Sequence, residues 1–285
     1  MEIYFAFLAG FCFAISHILV RRAMVHSNAL TASVISLSMS AFVAWTLVGL
    51  FVPLPAVWSP ALGYFIVAGV FAPGVGRTLN FIGIERIGVA RSVPIVNSSP
   101  MFASVFAVFF LGEVWLLQNI FGTALIILGV IILSSVKAAE GQWRKMDVIY
   151  PLLGAVSFGI SSTLRKAGLG VDNVPLLAAA VTASTGLLFS LGLLRASGGR
   201  RVFLLPRRSV AWYFAAGVFN TGAMLAVFYA LSIGQVVIVE PIVAANPVLS
   251  VLLTAIFLRD LESISARVLA GAICTVAGTV LVVTL

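Results

Sequence analysis

The sequence predicts an all-α, polytopic membrane protein: ten transmembrane helices in two inverted five-helix repeats. Three observations carry this reading. The chain is 61% hydrophobic and 9% charged, with mean hydropathy +1.17, whereas a soluble domain is about 25% charged. Apolar runs close to the roughly 20 residues that cross a hydrocarbon layer recur along the whole chain. The second half of the sequence also repeats the first.

A water-soluble globule of 285 residues needs far more polar side chains than this to clothe its surface, so a second, apolar solvent is implied. A secreted protein with one removable signal does not fit. Met1 to Val20 has no basic n-region, and apolar runs continue to Leu285; the first segment is read as a spanning helix. A β-barrel does not fit the pattern, because the runs are continuously apolar rather than alternating over about ten residues. The predicted spans of the first half are Ile3–Val20, Leu30–Val52, Ala61–Ile82, Val89–Leu111 and Leu116–Ser135. Those of the second half are Val148–Leu164, Pro175–Leu194, Val210–Leu231, Val236–Leu258 and Ile264–Val283. The sixth is the shortest apolar run, and Arg165 and Lys166 at its end can snorkel to the interface. Connections are short, and none holds a soluble domain, so the chemistry of this chain lies inside the bilayer.

Phe81 to Glu113 aligns without a gap onto Phe228 to Asp260 at an offset of 147. Pro94 lands on Pro241, Pro100 on Pro247, Phe110-Leu111 on Phe257-Leu258, and Glu113 on Asp260. Gly10 and Arg21-Arg22-Ala23 land on Gly154 and Arg165-Lys166-Ala167, while Gly122 and Gly129 land on Gly271 and Gly278. The chain therefore divides into a first repeat at 1–135, a linker at 136–147 and a second repeat at 148–285. Five spans per repeat is an odd number, so the second repeat enters the membrane in the opposite sense. Inverted repeats of this kind place a binding site at the interface of the halves.

Fourteen of the 17 basic residues fall in the odd-numbered loops and adjoining helix ends; the opposite side has only Arg165 and Lys166. By the positive-inside rule this puts the odd loops in the cytoplasm and both termini outside. A plasma membrane of the bacterial inner-membrane type is the default location.

Several polar residues stand inside apolar runs, where an ionisable group is costly unless it faces protein or water. Glu240, about one turn into the ninth span, is read either as a proton-coupling or substrate group or as a structural acid paired with an arginine. Arg77 and Arg91 can each grip an anionic group; the competing reading is neutralisation of an arginine by Glu85. Arg77 is the deeper of the two, with Asn80 close to one turn later. His17 is a candidate proton relay or an interfacial residue. Asn97, Asn220 and Asn246 either line a cavity or join helices. Pro94, Pro100, Pro241 and Pro247 each remove a backbone donor, which bends a helix or frees carbonyls toward a cavity.

No enzyme chemistry is legible: there is no paired-histidine metal motif, no Gly-x-Ser-x-Gly and no phosphate-binding loop. No cofactor and no metal are expected, and Cys12 and Cys274 read as packing residues. The basic clusters leave no room for a nucleic-acid module. The expected partners are a small-molecule substrate and the lipid bilayer, with protons as a candidate coupling ion and a homodimer left open.

The stretch Gly88–Glu113, read as Gly-Val-Ala-Arg-Ser-Val-Pro…Ser-Pro-Met…Phe-Leu-Gly-Glu, and its counterpart Gln235–Asp260 resemble the EamA-type transporters of the drug/metabolite transporter (DMT) superfamily. The likeness covers nearly the whole chain. Gly112-Glu113 fits the family's Phe-Leu-Gly-Glu ending, whereas Arg259-Asp260 departs from it at the glycine. The resemblance implies secondary active transport of an amino acid or related metabolite by alternating access. It also implies a central cavity lined by both halves, with the fifth and tenth spans peripheral. A non-transporting membrane scaffold or sensor is the alternative.

Overall fold

The computed structural model describes residues 2–52, 59–99, 101–103, 105–106, 117–135, 144–199, 202–233, 243, 246–261 and 264–283, and among these there is no β-strand. The first repeat supplies α1 (Glu2–Met24), α2 (Ala29–Phe51), α3 (Leu62–Ile87), α4 (Val89–Val96) and α5 (Leu117–Ser135). The second supplies α6 (Ile149–Val171), α7 (Pro175–Ala196), α8 (Arg207–Ile233), α9 (Asn246–Phe257) and α10 (Ala266–Val283). Among the described residues, six helices, α1, α2, α3, α6, α7 and α8, are long and apolar enough to cross a membrane. Within the fifth and tenth predicted spans, the described residues hold shorter apolar helices at Ala124–Leu133 and Ala266–Gly278.

Several helices run past the apolar stretches that mark them in the sequence. Helix α1 continues through Arg21 and Arg22 to Met24, and α6 continues through Arg165 and Lys166 to Val171. The backbone ladder has no reason to stop where hydrophobicity does, and in α1 the basic residues of the last turn favour the helix C-terminus. Helix α2 starts where the Asn28 side chain accepts a 2.9 Å hydrogen bond from Thr31 N, satisfying one of the first-turn donors. Gly88 alone joins α3 to α4, at φ 83° and ψ 166°, a conformation closed to residues with a Cβ.

The helix contacts are nearly unchanged when the two halves are exchanged. Helix α1 lies along α8, and its equivalent α6 lies along α3; α2 crosses α7 and α5 crosses α10. The shared polar contacts follow the same rule: Ser16 Oγ donates to Ala216 O at 3.0 Å, and Ser161 Oγ donates to Ala68 O at 2.9 Å. Contacts between successive helices α1 and α2, or α6 and α7, are few. Each half is therefore held mainly by the other.

Close approach is made by small residues. A Cβ at Gly129 would stand 2.8 Å from Gly271 O, and one at Gly278 would stand 2.6 Å from Gly122 O. In lipid the hydrophobic effect does not drive helices together, so backbone proximity of this kind is a main source of association. The outer surface carries the apolar side chains: Phe42 is 71% and Leu188 68% exposed. A surface so apolar is suited to acyl chains, not water.

Candidate functional site

Helix α3 is not uniform. Leu62–Gly69 and Arg77–Ile87 are α-helical, and Val70–Gly76 between them is a π-helix with Pro73 inside it. Proline has no N–H and its ring collides with the carbonyl four residues back; a wider turn relieves both, and π segments are frequent at functional sites. Neighbouring helices seat against this segment through glycines. A Cβ at Gly69 would fall 2.7 Å from Thr182 O, and one at Gly186 would fall 2.8 Å from Pro73 Cβ. The wide turn changes the rotational phase of everything after it and so sets the direction of Arg77.

Arg77 is 9% exposed. It stands ten residues from the end of α3 at Ile87, about 15 Å along the axis. Its one protein hydrogen bond among the described residues runs from Nη1 to Ser36 Oγ at 3.2 Å. No described carboxylate pairs with it. Glu85, the acid nearest in sequence, is engaged elsewhere: its Oε2 accepts from Ala29 N at 3.3 Å, and its main-chain oxygen accepts from Arg21 Nη1 at 2.9 Å.

One turn along from Arg77, Asn80 joins three helices. Its Nδ2 lies 3.5 Å from His17 Nε2 on α1, and its Oδ1 accepts from Ser92 Oγ of α4 at 3.3 Å. Phe13 stacks on the His17 ring. His17 Nδ1 is buried and has no hydrogen-bond partner among the described residues. Thr78 Oγ1 reaches Ser33 Oγ at 3.3 Å and donates to Gly74 O, inside the π segment, at 2.8 Å.

Helix α2 faces this group with Ser33, Ser36 and Ser40, all buried, while Ser38 is exposed. Their spacing of three and four puts them on one face. Ser40 carries the line to the other half, 3.1 Å from Thr221 Oγ1 and accepting from Asn220 Nδ2 at 3.3 Å. These serines, with Ser92, were not singled out in the sequence. The helical spacing of serines in an otherwise apolar span is the signal that could have found them.

Other sequence candidates make these contacts. Arg91 is buried on α4, with Nη1 donating to Ile87 O at 3.4 Å. Asn97 Nδ2 donates to Val93 O at 2.9 Å where α4 ends, and Asn246 Oδ1 accepts from Ser250 Oγ at 2.8 Å within α9. Pro94 sits inside α4, and Pro247 follows Asn246 in the described part of α9. Glu240, Pro100 and Pro241 lie outside the described residues.

The arginine-rich end of the bundle is tied across the halves. Arg22 of α1 grips Asp260 at 2.5 and 2.8 Å, and Arg86 of α3 meets Asp147, ahead of α6, at 2.8 Å. The hydrogen bond from Arg22 holds the Asp260 carboxyl below its ordinary pKa. Asn28 Nδ2 donates to Val202 O at 2.7 Å, and Ser209 Oγ donates to Ala23 O at 2.9 Å.

A family model, that of the EamA-like transporter family, matches residues 1–135 and 145–284. A solved crystal structure superposes on the chain with TM-score 0.65 at 17% identity, covering 97% of this chain and 95% of that one. At that identity the likeness speaks for the fold alone. No curated protein matches the sequence.

Proposed function

The chain belongs to the EamA-like transporter family of the DMT superfamily, and from that premise we propose that it is a secondary active transporter of a small polar metabolite. The solute is held among His17, Arg77, Asn80, Ser36 and Ser92. The observation that carries this reading is a buried guanidinium in a group of hydroxyl, amide and imidazole side chains from four helices. Such a group costs about 2.5–3.5 kcal/mol or more at the membrane centre and is kept where function needs it.

Transport proceeds by alternating access. The exchange of helix contacts between halves supports this, because two similar packings related by exchanging the repeats are what such a cycle requires. The charge bias supports a cytoplasmic arginine-rich end, with a bacterial-type plasma membrane as the default location. The Arg22–Asp260 and Arg86–Asp147 links close that end and break when it opens. Protons are the candidate driving ion, with Glu240 and His17 as the groups to test.

Purified protein in proteoliposomes, loaded with unlabelled solute and given labelled solute outside, tests the reading. Counterflow of at least one member of a panel of organic acids, amino acids and neutral metabolites is expected. If correctly folded protein moves none of them, the transporter reading fails.

A further inference from the structure

We propose that the solute bound at Arg77 is a small organic acid that binds as a monoanion, its carboxylate acting as the guanidinium's counter-ion, and that the zwitterionic amino acid of the same skeleton is rejected. The inference rests on the transporter reading and names the charge class of its ligand.

The first argument counts donors and acceptors. Asn80 Nδ2 can only donate, so its contact with His17 Nε2 makes that nitrogen the acceptor and leaves the proton of a neutral imidazole on Nδ1. That buried Nδ1 has no partner among the described residues. Arg77 has five N–H donors and spends one of them on Ser36. The unmet groups of the cluster are therefore donors. Asn80 Oδ1 already accepts from Ser92, and Ser36 Oγ from Arg77. A ligand here must bring acceptors for the unmet donors.

The second argument is charge. The described part of the cluster holds one fixed positive charge and no carboxylate. A monoanion brings the site to neutrality. A zwitterion leaves the net charge where it was and adds an ammonium facing a guanidinium, in a medium that penalises unpaired ions. A planar fork with parallel N–H groups also matches a carboxylate better than a spherical ion. The second half offers no matching cation at the equivalent position, which is Met224, so one carboxylate completes the pair.

Thermal unfolding in lipid nanodiscs tests this with two matched series: lactate, alanine and lactamide, then phenyllactate, phenylalanine and phenyllactamide, with chloride as an inorganic anion. At least one hydroxy acid is expected to raise the midpoint of the native protein, while its amino acid and amide leave it unchanged. The rise disappears in Arg77→Gln and shrinks in Arg77→Lys, which keeps the charge and loses the fork. Without ligand, Arg77→Gln unfolds at or above the native midpoint, because a buried charge with no counter-ion among the described residues has been removed. A shift by neither hydroxy acid overturns the proposal. So does an equal shift by the amino acid or by chloride, or a rise that survives Arg77→Gln. A ligand-free midpoint several degrees lower in both variants also overturns it, since it assigns Arg77 to structure. Arg77-dependent stabilisation without counterflow of the same acid would sink the transporter reading and leave the anion site. Counterflow of an amino acid untouched by Arg77→Gln would do the reverse.

Discussion

Helices α3 and α8 occupy equivalent places in the two halves, yet only one of them is chemically equipped. The offset that pairs Phe81 with Phe228 pairs Arg77 with Met224, Thr78 with Leu225, Asn80 with Val227 and Pro73 with Asn220. Phe81 and Phe228 are both 2% exposed, so the packing role has been kept. The polar positions have not: α8 is one uninterrupted α-helix from Arg207 to Ile233, whereas α3 widens into a π segment ahead of its arginine. A duplicated frame thus tolerates specialisation of one copy. The contacts that hold the bundle are shared by both repeats, and the buried guanidinium is carried by one.

The largest effect that probes this contrast is steric. Gly69→Leu on α3 drives a side chain into the Thr182 backbone, where even a Cβ would be 2.7 Å from the carbonyl oxygen. Backbone cannot yield as a flexible side chain does, and overpacking costs about 1–3 kcal/mol or more. Loss of monodisperse protein in detergent is expected, and normal yield would show that α3 and α7 are not held by this contact. Arg77→Met makes α3 resemble α8 at the decisive position. A charge-assisted contact contributes about 1.5–3 kcal/mol, so solute uptake by proteoliposomes should fall by about 10- to 150-fold with the thermal midpoint preserved. Uptake within twofold of native would erase the distinction between the helices.

Pro73→Ala removes the reason for the wide turn. If α3 then relaxes toward α-helix, Arg77 is re-aimed and uptake drops by about tenfold, while the midpoint holds or rises because a helix-breaking residue is gone. Unchanged uptake would mean that the π segment does not set the arginine's direction. Gly222→Ala on α8 meets nothing within 4 Å and should be neutral or stabilising by about 0.5–1 kcal/mol; a marked loss of stability would show that α8 is as tightly fitted as α3. The smallest effect concerns the Arg22–Asp260 link. Because the folded-state pKa of Asp260 is depressed, its contribution is fully present above the unfolded value and is lost as pH falls through the folded one. The difference in midpoint between native protein and Asp260→Asn should therefore be small and constant from pH 5 to 8, about one unit or more above the unfolded aspartate value, and should diminish only in more acid solution. A difference that vanishes between pH 6 and 7 would contradict the assignment.

Much of this was legible in the linear chain because hydrophobicity and periodicity are local properties. Arg77 and Asn80 stood out as polar residues in apolar runs, and both fall in the central group. Arg91, Asn97 and Asn246 stood out for the same reason and fall elsewhere, since an apolar flank says that a polar residue is costly without saying what it faces. Ser36 and Ser92 passed unnoticed because a serine in a membrane helix commonly donates to its own backbone, as the threonines at 182, 221 and 275 do here. Pro73 lay outside the repeated proline pairs and drew no attention.

By itself, the sequence determined that this chain is a duplicated bundle of membrane helices, because the medium selects for apolar length and duplication leaves a register that can be read along one dimension. Only the tertiary structure decided which polar residues meet. His17, Ser36, Arg77 and Ser92 are up to 75 positions apart in the chain, and their meeting depends on the phase of each helix, on one wide turn, and on glycines that set how closely helices approach.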